Sequence, residues 1–271
     1  RLDDGHVVSL VSKIGDGFTA VVFIGEPEDK NWRNENIVIK IAKPQTETQN
    51  YVREEYNTLI DLSNRILVRG VPISPRVYGK GVFNDRFFIA MELLKGSPIL
   101  GKDEIVKREE RESLEAYQQI YCFLEELHTK GITYPDLKIE NFFWDSDSVD
   151  TKLRVLDFGA MGKTLDPLRD PECHREIFKV GLAFFSSLTG RSLLVSATEV
   201  VVENLNEVLL RYELSYGTKL LLIRLLGRSK DHRLKDAKSV KEELDGLANF
   251  WNYDQETLFN KFQANLLRGE G

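Results

Sequence analysis

The sequence predicts an α+β chain in two parts, a small sheet-rich part with one helix followed by a larger, mostly helical part. Two patterns point there. Residues 1–92 carry short apolar and alternating runs of strand type around one stretch of helical periodicity, and beyond Gly96 the 3.6-residue period takes over. The third observation is bulk composition. With 271 residues, 42% hydrophobic and 30% charged, the chain can bury a sizeable core, which excludes the disordered, collagen-like and membrane classes.

The elements follow in order. Segments 7–14 and 20–25 read as strands flanking a glycine-containing turn, 36–42 is apolar on both sides of Lys40, and 85–92 is a further apolar run. Between them, 46–62 repeats Val52, Tyr56, Leu59 and Ile60 at three- and four-residue spacing, an amphipathic helix. In 113–130, Leu114, Tyr117, Ile120, Tyr121, Leu124, Leu127 and His128 share a face, and Gly131 ends that helix. Segments 141–144 and 152–158 form a strand pair with a polar tip. Helical periodicity then covers 172–188, 197–212, 217–226 and 237–250, with a further stripe in 251–267 that is expected to pack on the helical part. Residues 92–96 are the natural joint.

Charge and cysteine content narrow the function. A net charge of −6, from 37 basic and 43 acidic residues, argues against a sequence-independent grip on nucleic acid, which needs clustered Lys and Arg. The two cysteines, Cys122 and Cys173, lie far apart outside any C-x-x-C pattern, so neither a disulfide framework nor a zinc site is expected; the expected compartment is reducing and cytoplasmic. No apolar stretch reaches the roughly 18 residues of a membrane span. The first residue is Arg1, which reads as a segment of a longer chain.

Several residues suggest phosphate chemistry. Gly15-Asp16-Gly17-Phe18-Thr19-Ala20-Val21-Val22 lies between two strands, where absent side chains let backbone N–H groups approach phosphate oxygens, although a plain hairpin turn reads equally well. Lys40 interrupts an apolar strand, where a lysine is costly unless paired, and Glu55 on the following helix is the expected partner. Further on, Tyr134-Pro135-Asp136-Leu137-Lys138-Ile139-Glu140-Asn141 precedes Leu156-Asp157-Phe158-Gly159.

With these motifs in this order, the chain resembles the protein kinase family from about Ile14 to Arg233. The resemblance implies a bilobal kinase-like fold, with a small antiparallel-sheet N-lobe (1–92), a larger helical C-lobe (93–252) and a C-terminal helical extension (253–271). It implies ATP and Mg²⁺ as cofactors and a protein substrate. By the family's roles Asp136 is the catalytic base, Lys138 neutralises the transferring phosphoryl group, and Asn141 and Asp157 are the metal ligands. Lys40, held by Glu55, clamps the α- and β-phosphates. The remaining nucleotide contacts implied are Ile14, Gly15, Gly17, Ala20, Val22, Val38, Met91 as gatekeeper, and Glu92 and Leu94 in the hinge. Tyr134 and Phe158, with Leu59, are expected in the internal apolar column.

Two departures from the family matter. Its His-Arg-Asp reads Tyr134-Pro135-Asp136, so the Arg that receives an activation-loop phosphate is missing. Glu176, which stands where the family has the Asp of D-x-W-S-x-G, follows Asp157 by only 19 positions, so the activation segment is about half the usual length. Order there is expected to be built in and not installed by phosphorylation. Pro135 has no N–H to offer, and the longer Glu176 is expected to reach a different donor. Asp170-Pro171-Glu172 reads either as the family's A-P-E, with Arg233 as ion-pair partner, or as the start of a helix.

Three functions remain in competition. Transfer of the γ-phosphoryl to Ser or Thr hydroxyls of a protein, including the chain itself, is favoured by Lys138. A small-molecule kinase of the aminoglycoside or choline type shares the D-x-x-x-x-N spacing without that lysine. A pseudokinase scaffold is suggested by the altered Tyr-Pro-Asp and by Ala20.

Overall fold

The computed structural model describes residues 1–28, 36–101, 105–193, 205–227 and 233–250. The chain divides into two units, Arg1–Pro98 with Asn141–Gly162, and Ile99–Glu140 with Lys163–Gly271.

The first unit is built on a five-stranded antiparallel sheet. Its strands are β1 (Val8–Asp16), β2 (Ala20–Pro27), β3 (Ile37–Ala42), β6 (Val77–Phe83) and β7 (Arg86–Glu92), in the order β1-β2-β3-β7-β6. The short pair β4 (Leu67–Val68) and β5 (Val71–Pro72) precedes β6. Alternation along β3 and β7 splits the apolar residues between two faces. Ile37, Ile39, Ile41, Phe88 and Ala90 form one cluster that Leu2 covers. Ala20, Ala42, Phe87 and Ile89 form the other, capped by Val52 of α1 (Thr46–Leu62). Both faces of β3 are therefore buried, which explains its nearly unbroken apolar sequence.

Helix α1 has the expected limits, but its inward stripe is Thr48, Val52, Glu55, Leu59 and Leu62. Ile60, expected in that stripe, is half exposed because one residue of helix turns it about 100° away from Leu59. Glu55 takes an inward place that apolar periodicity alone does not assign.

The remainder of the unit is a small three-stranded sheet. Strands β10 (Phe142–Trp144) and β11 (Leu153–Val155) form the expected pair, and β8 (Ser97–Pro98) adds to β10. Segment 141–162 thus groups with the first unit although it follows 99–140 in the chain. Besides the β8 pairing, the Val155 N–H donates to the Ile73 carbonyl at 2.9 Å. Gly96 makes the β8 approach possible. Its φ is +87°, and a Cβ there would lie 2.2 Å from the Trp144 carbonyl oxygen. Gly96→Ala is expected to lower stability by more than about 2 kcal/mol, since left-handed geometry and overlap with backbone both count against it. A denaturant midpoint checks it, and a change within experimental error would overturn it.

The second unit is helical. Helix α2 (Glu110–Thr129) buries all seven residues expected on its inner face. Gly131, with φ +67°, follows its C-cap Lys130 as a glycine terminator. Strands β9 (Ile132–Thr133) and β12 (Gly162–Lys163) are two residues each. Helix α3 (Pro171–Thr189) packs on α2, with Tyr117 against Phe184 and the Tyr121 hydroxyl donating to the Ile177 carbonyl at 3.0 Å. Helices α4 (Leu205–Leu210), α5 (Tyr216–Leu226) and α6 (Ala237–Phe250) complete it. Of the helix expected over 197–212, residues 197–204 lie outside the described residues, as does 251–271 with the expected extension.

Asp170-Pro171-Glu172 is a helix start. The Asp170 carboxylate accepts from the Glu172 N–H, and Pro171 occupies the first turn. The Glu172–Arg233 pair does not form. Glu172 pairs with Arg175 one turn on, while the Arg233 Nε–H donates to the Gly227 carbonyl at 2.6 Å and its guanidinium lies over Phe178.

Candidate active site

A cavity of about 370 Å³ lies within the first unit. Its walls include Ile14, Val22, Val38, Lys40, Glu55, Met91, Glu92, Leu94, Asn141 and Asp157, ten of the residues singled out from the sequence. Sheet geometry brings them together. Val22 pairs with Lys40 and Val38 with Met91, so the same face of three strands supplies one apolar wall.

Gly15, Gly17 and Ala20 are not part of the lining. Ala20 shares the face of Val22 but lies two residues nearer α1, whose Val52 covers it. The Gly17 N–H donates to the Ala20 carbonyl at 2.9 Å, closing the β1–β2 connection as a hairpin turn. A Cβ at Gly15 or Gly17 would meet only ordinary van der Waals contacts, so packing does not demand glycine at either position.

Lys40 lies between both carboxylate oxygens of Glu55, 2.7 Å from Oε1 and 2.6 Å from Oε2, and 3.9 Å from Asp157 Oδ1. Burial pushes the Glu55 carboxyl up, Lys40 opposes the shift, and the Asp157 charge adds to it. The folded chain therefore holds that proton more tightly than the unfolded one. Stability falls as pH rises from the usual carboxylate range through the raised value. Lys40→Met removes the opposing cation, so its unfolding midpoint is expected to drop further below wild type at pH 8 than at pH 5. Equal drops would show that Lys40 does not keep Glu55 charged.

Asn141 and Asp157 meet through β10 and β11. The Leu156 N–H donates to the Asn141 carbonyl at 2.8 Å, which sets the two side chains on one cavity wall. Asp157 has φ +61°, a left-handed conformation that costs a non-glycine residue of order 1 kcal/mol and concentrates at functional sites. One carboxylate and one amide oxygen suit Mg²⁺, which takes few protein ligands and completes its shell with phosphate and water. No cluster of three or more His, Cys, Asp or Glu able to hold a metal occurs among the described residues.

The hinge has its own anchors. The Glu92 side chain accepts from Arg154 at 2.6 Å and from the Arg76 N–H at 3.0 Å, and the Leu93 N–H donates to the Asn36 carbonyl at 2.8 Å. Leu94 follows as a cavity-lining residue. Arg154 also donates to the Ile73 and Ser74 carbonyls. Sequence reasoning passed over it, although an arginine inside the short strand 152–158 was the available signal. It also passed over Tyr51, whose hydroxyl lies 3.4 Å from Asp157 Oδ1 and whose ring packs on Gly159.

The other expected catalytic residues lie in the second unit. Asp136 is exposed, and the Lys138 ammonium lies 2.7 Å from its Oδ2. Glu176 is fully buried on α3. Its Oε1 accepts the Tyr134 N–H at 2.6 Å, and its Oε2 lies 2.7 Å from His128 Nε2. A carboxylate only accepts, so that ring nitrogen carries the proton. These are the donors that replace the N–H absent from Pro135.

A family model for the protein kinase domain matches residues 8–170. Calcium-dependent protein kinase 4 of Arabidopsis thaliana is 39% identical over 85 residues, covering 30% of this chain and 17% of that protein. Calcium-dependent protein kinase 25 of the same plant is 29% identical over 163 residues, 57% of this chain and 30% of that one. The Serine/threonine-protein kinase H1 homolog of Danio rerio is 35% identical over 78 residues, 28% and 18% of the two chains. The chain thus spans less than a third of the length of these relatives. With more than half of its residues inside the matched region, and with an antiparallel sheet unit followed by helices, the chain belongs to the protein kinase domain family.

Proposed function

We propose that the protein transfers the γ-phosphoryl group of ATP to Ser or Thr hydroxyls of a protein substrate, itself included. The observation that carries the reading is the cavity that gathers Lys40, Glu55, Asn141 and Asp157 beneath an apolar wall of Val22, Val38 and Met91. That wall suits a flat heteroaromatic base, and the part-buried Lys40 ammonium suits phosphate oxygens. Lys40 holds the α- and β-phosphates because Glu55 keeps it in place. Mg²⁺, when bound, neutralises charge on the phosphate oxygens. Asn141 and Asp157 are the residues that would hold it. Asp136 accepts the proton of the attacking hydroxyl and orients it, and Lys138 neutralises charge on the transferring group. The names of the curated relatives, three of them Ser/Thr or calcium-dependent protein kinases, support a protein acceptor.

The short activation segment and Pro135 belong to the same reading. With no arginine beside Asp136 to receive a phosphate, activity does not depend on activation-segment phosphorylation. The test uses labelled ATP and Mg²⁺ with generic protein substrates and a panel of small-molecule alcohols and amines. Label on protein Ser or Thr, at a rate unchanged by prior phosphatase treatment, is expected. Label only in small molecules would replace the reading with a small-molecule kinase, and nucleotide binding without transfer would replace it with a scaffold.

A further inference from the structure

We propose that Lys179 is a positioning residue for Asp136, acting with Glu176 as a two-point clamp from α3 on the backbone before the catalytic aspartate. The inference rests on the phosphotransfer reading above and adds to it Lys179, which stands at the Ser position of the D-x-W-S-x-G stretch.

Asp136 needs such a device. Its side chain is about half exposed and its partner there is Lys138, also exposed. Exposed ion pairs hold little. The place of the carboxylate is therefore set by the backbone that leads into it. That backbone is gripped at both ends of the Tyr134-Pro135 dipeptide. The Tyr134 N–H donates to buried Glu176 Oε1 at 2.6 Å, and the Lys179 ammonium donates to the Pro135 carbonyl at 3.2 Å. The Pro135 carbonyl belongs to the planar peptide unit that contains the Asp136 nitrogen, so fixing that oxygen fixes the plane from which Asp136 projects. A third bond, from the Leu137 N–H to the Tyr134 carbonyl at 2.9 Å, closes the turn around it.

Both grips come from a single rigid element. Glu176 and Lys179 are three residues apart and share a face of α3, a 19-residue helix capped by Asp170 and ended by Gly190 in the left-handed region. The loop sequence explains why a cation is needed. Proline at 135 removes an N–H, leaving the carbonyl as the one backbone polar group there that a side chain can hold. Lys179 reaches that carbonyl from outside the loop. It does so whatever the phosphorylation state of the short activation segment.

The test compares Lys179→Met and Lys179→Arg with wild type in the whole chain. For Met, kcat is expected to fall about tenfold with KM for ATP unchanged, because small misplacement of a reacting group costs rate and not ground-state binding. Amide exchange is expected to quicken in 133–138 and not along α3. Arg is expected to recover most of the rate and protection. Unchanged kcat and unchanged exchange in the Met variant would overturn the proposal, as would equal losses in both variants or loosening of the whole of α3. If wild type transfers no phosphate to any acceptor, the phosphotransfer reading fails by itself. The exchange comparison then decides the clamp alone, with faster exchange confined to 133–138 upholding it and unchanged exchange overturning it.

Discussion

Asp136→Asn is expected to lower the rate of phosphoryl transfer by about 10²–10⁴-fold, the usual contribution of a positioned general base. Asn keeps the shape and a hydrogen-bonding oxygen but cannot take the hydroxyl proton. Nucleotide affinity should be unchanged, because the cavity is walled by residues of 1–98 and 141–162 and none of its lining belongs to 99–140. The pair of readouts separates roles. Calorimetric binding of the Mg²⁺–nucleotide at wild-type strength with transfer lost would place Asp136 in the chemical step. Equal transfer rates in the two proteins would remove it as the base.

The second large effect is on stability. Glu176→Ala is expected to destabilise the fold by roughly 2–6 kcal/mol, at about 1–3 kcal/mol for each of two buried donors left without an acceptor. Two buried donors, the Tyr134 N–H and His128 Nε2, lose their acceptor together. Glu176→Gln retains an amide oxygen for one donor and should cost less. Denaturant unfolding of the three proteins measures both differences, and a loss below about 1 kcal/mol in the Ala variant would mean that the loop relaxes onto other partners.

Legibility differed from element to element for physical reasons. Helices α1, α2, α5 and α6 were readable because each carries a long apolar stripe at helical spacing. Strand β6 was not, since Gly79 and Gly81 break the β-branched pattern, and the two-residue strands β4, β5 and β8 carry no periodicity at all. The pairing of Lys40 with Glu55 could be anticipated because an apolar strand cannot bury an unpaired lysine. Ile60 was misread because four apolar residues at helical spacing leave the centre of the stripe undetermined by one position, and the need to seat Glu55 opposite Lys40 decided it.

By itself the sequence determined the long helices and the strands β1, β2, β3, β7, β10 and β11, the order of the motifs and hence the family, together with the missing arginine and the short activation segment. Those are local or linear properties, written in periodicity and spacing. Tertiary structure alone decided the rest. It put the hairpin bearing Asn141 and Asp157 in the unit that also holds Lys40, through β8, Arg154 and the Ile73 carbonyl. It turned Ala20 under α1, made Asp170-Pro171-Glu172 a helix cap in place of an ion-pair anchor, and gave Glu176 and Lys179 their grip on Tyr134 and Pro135. Each of these joins residues about 30 or more positions apart, or weighs a cap against an ion pair. Such outcomes depend on which polar groups can be satisfied once the core has closed, and no local pattern encodes that.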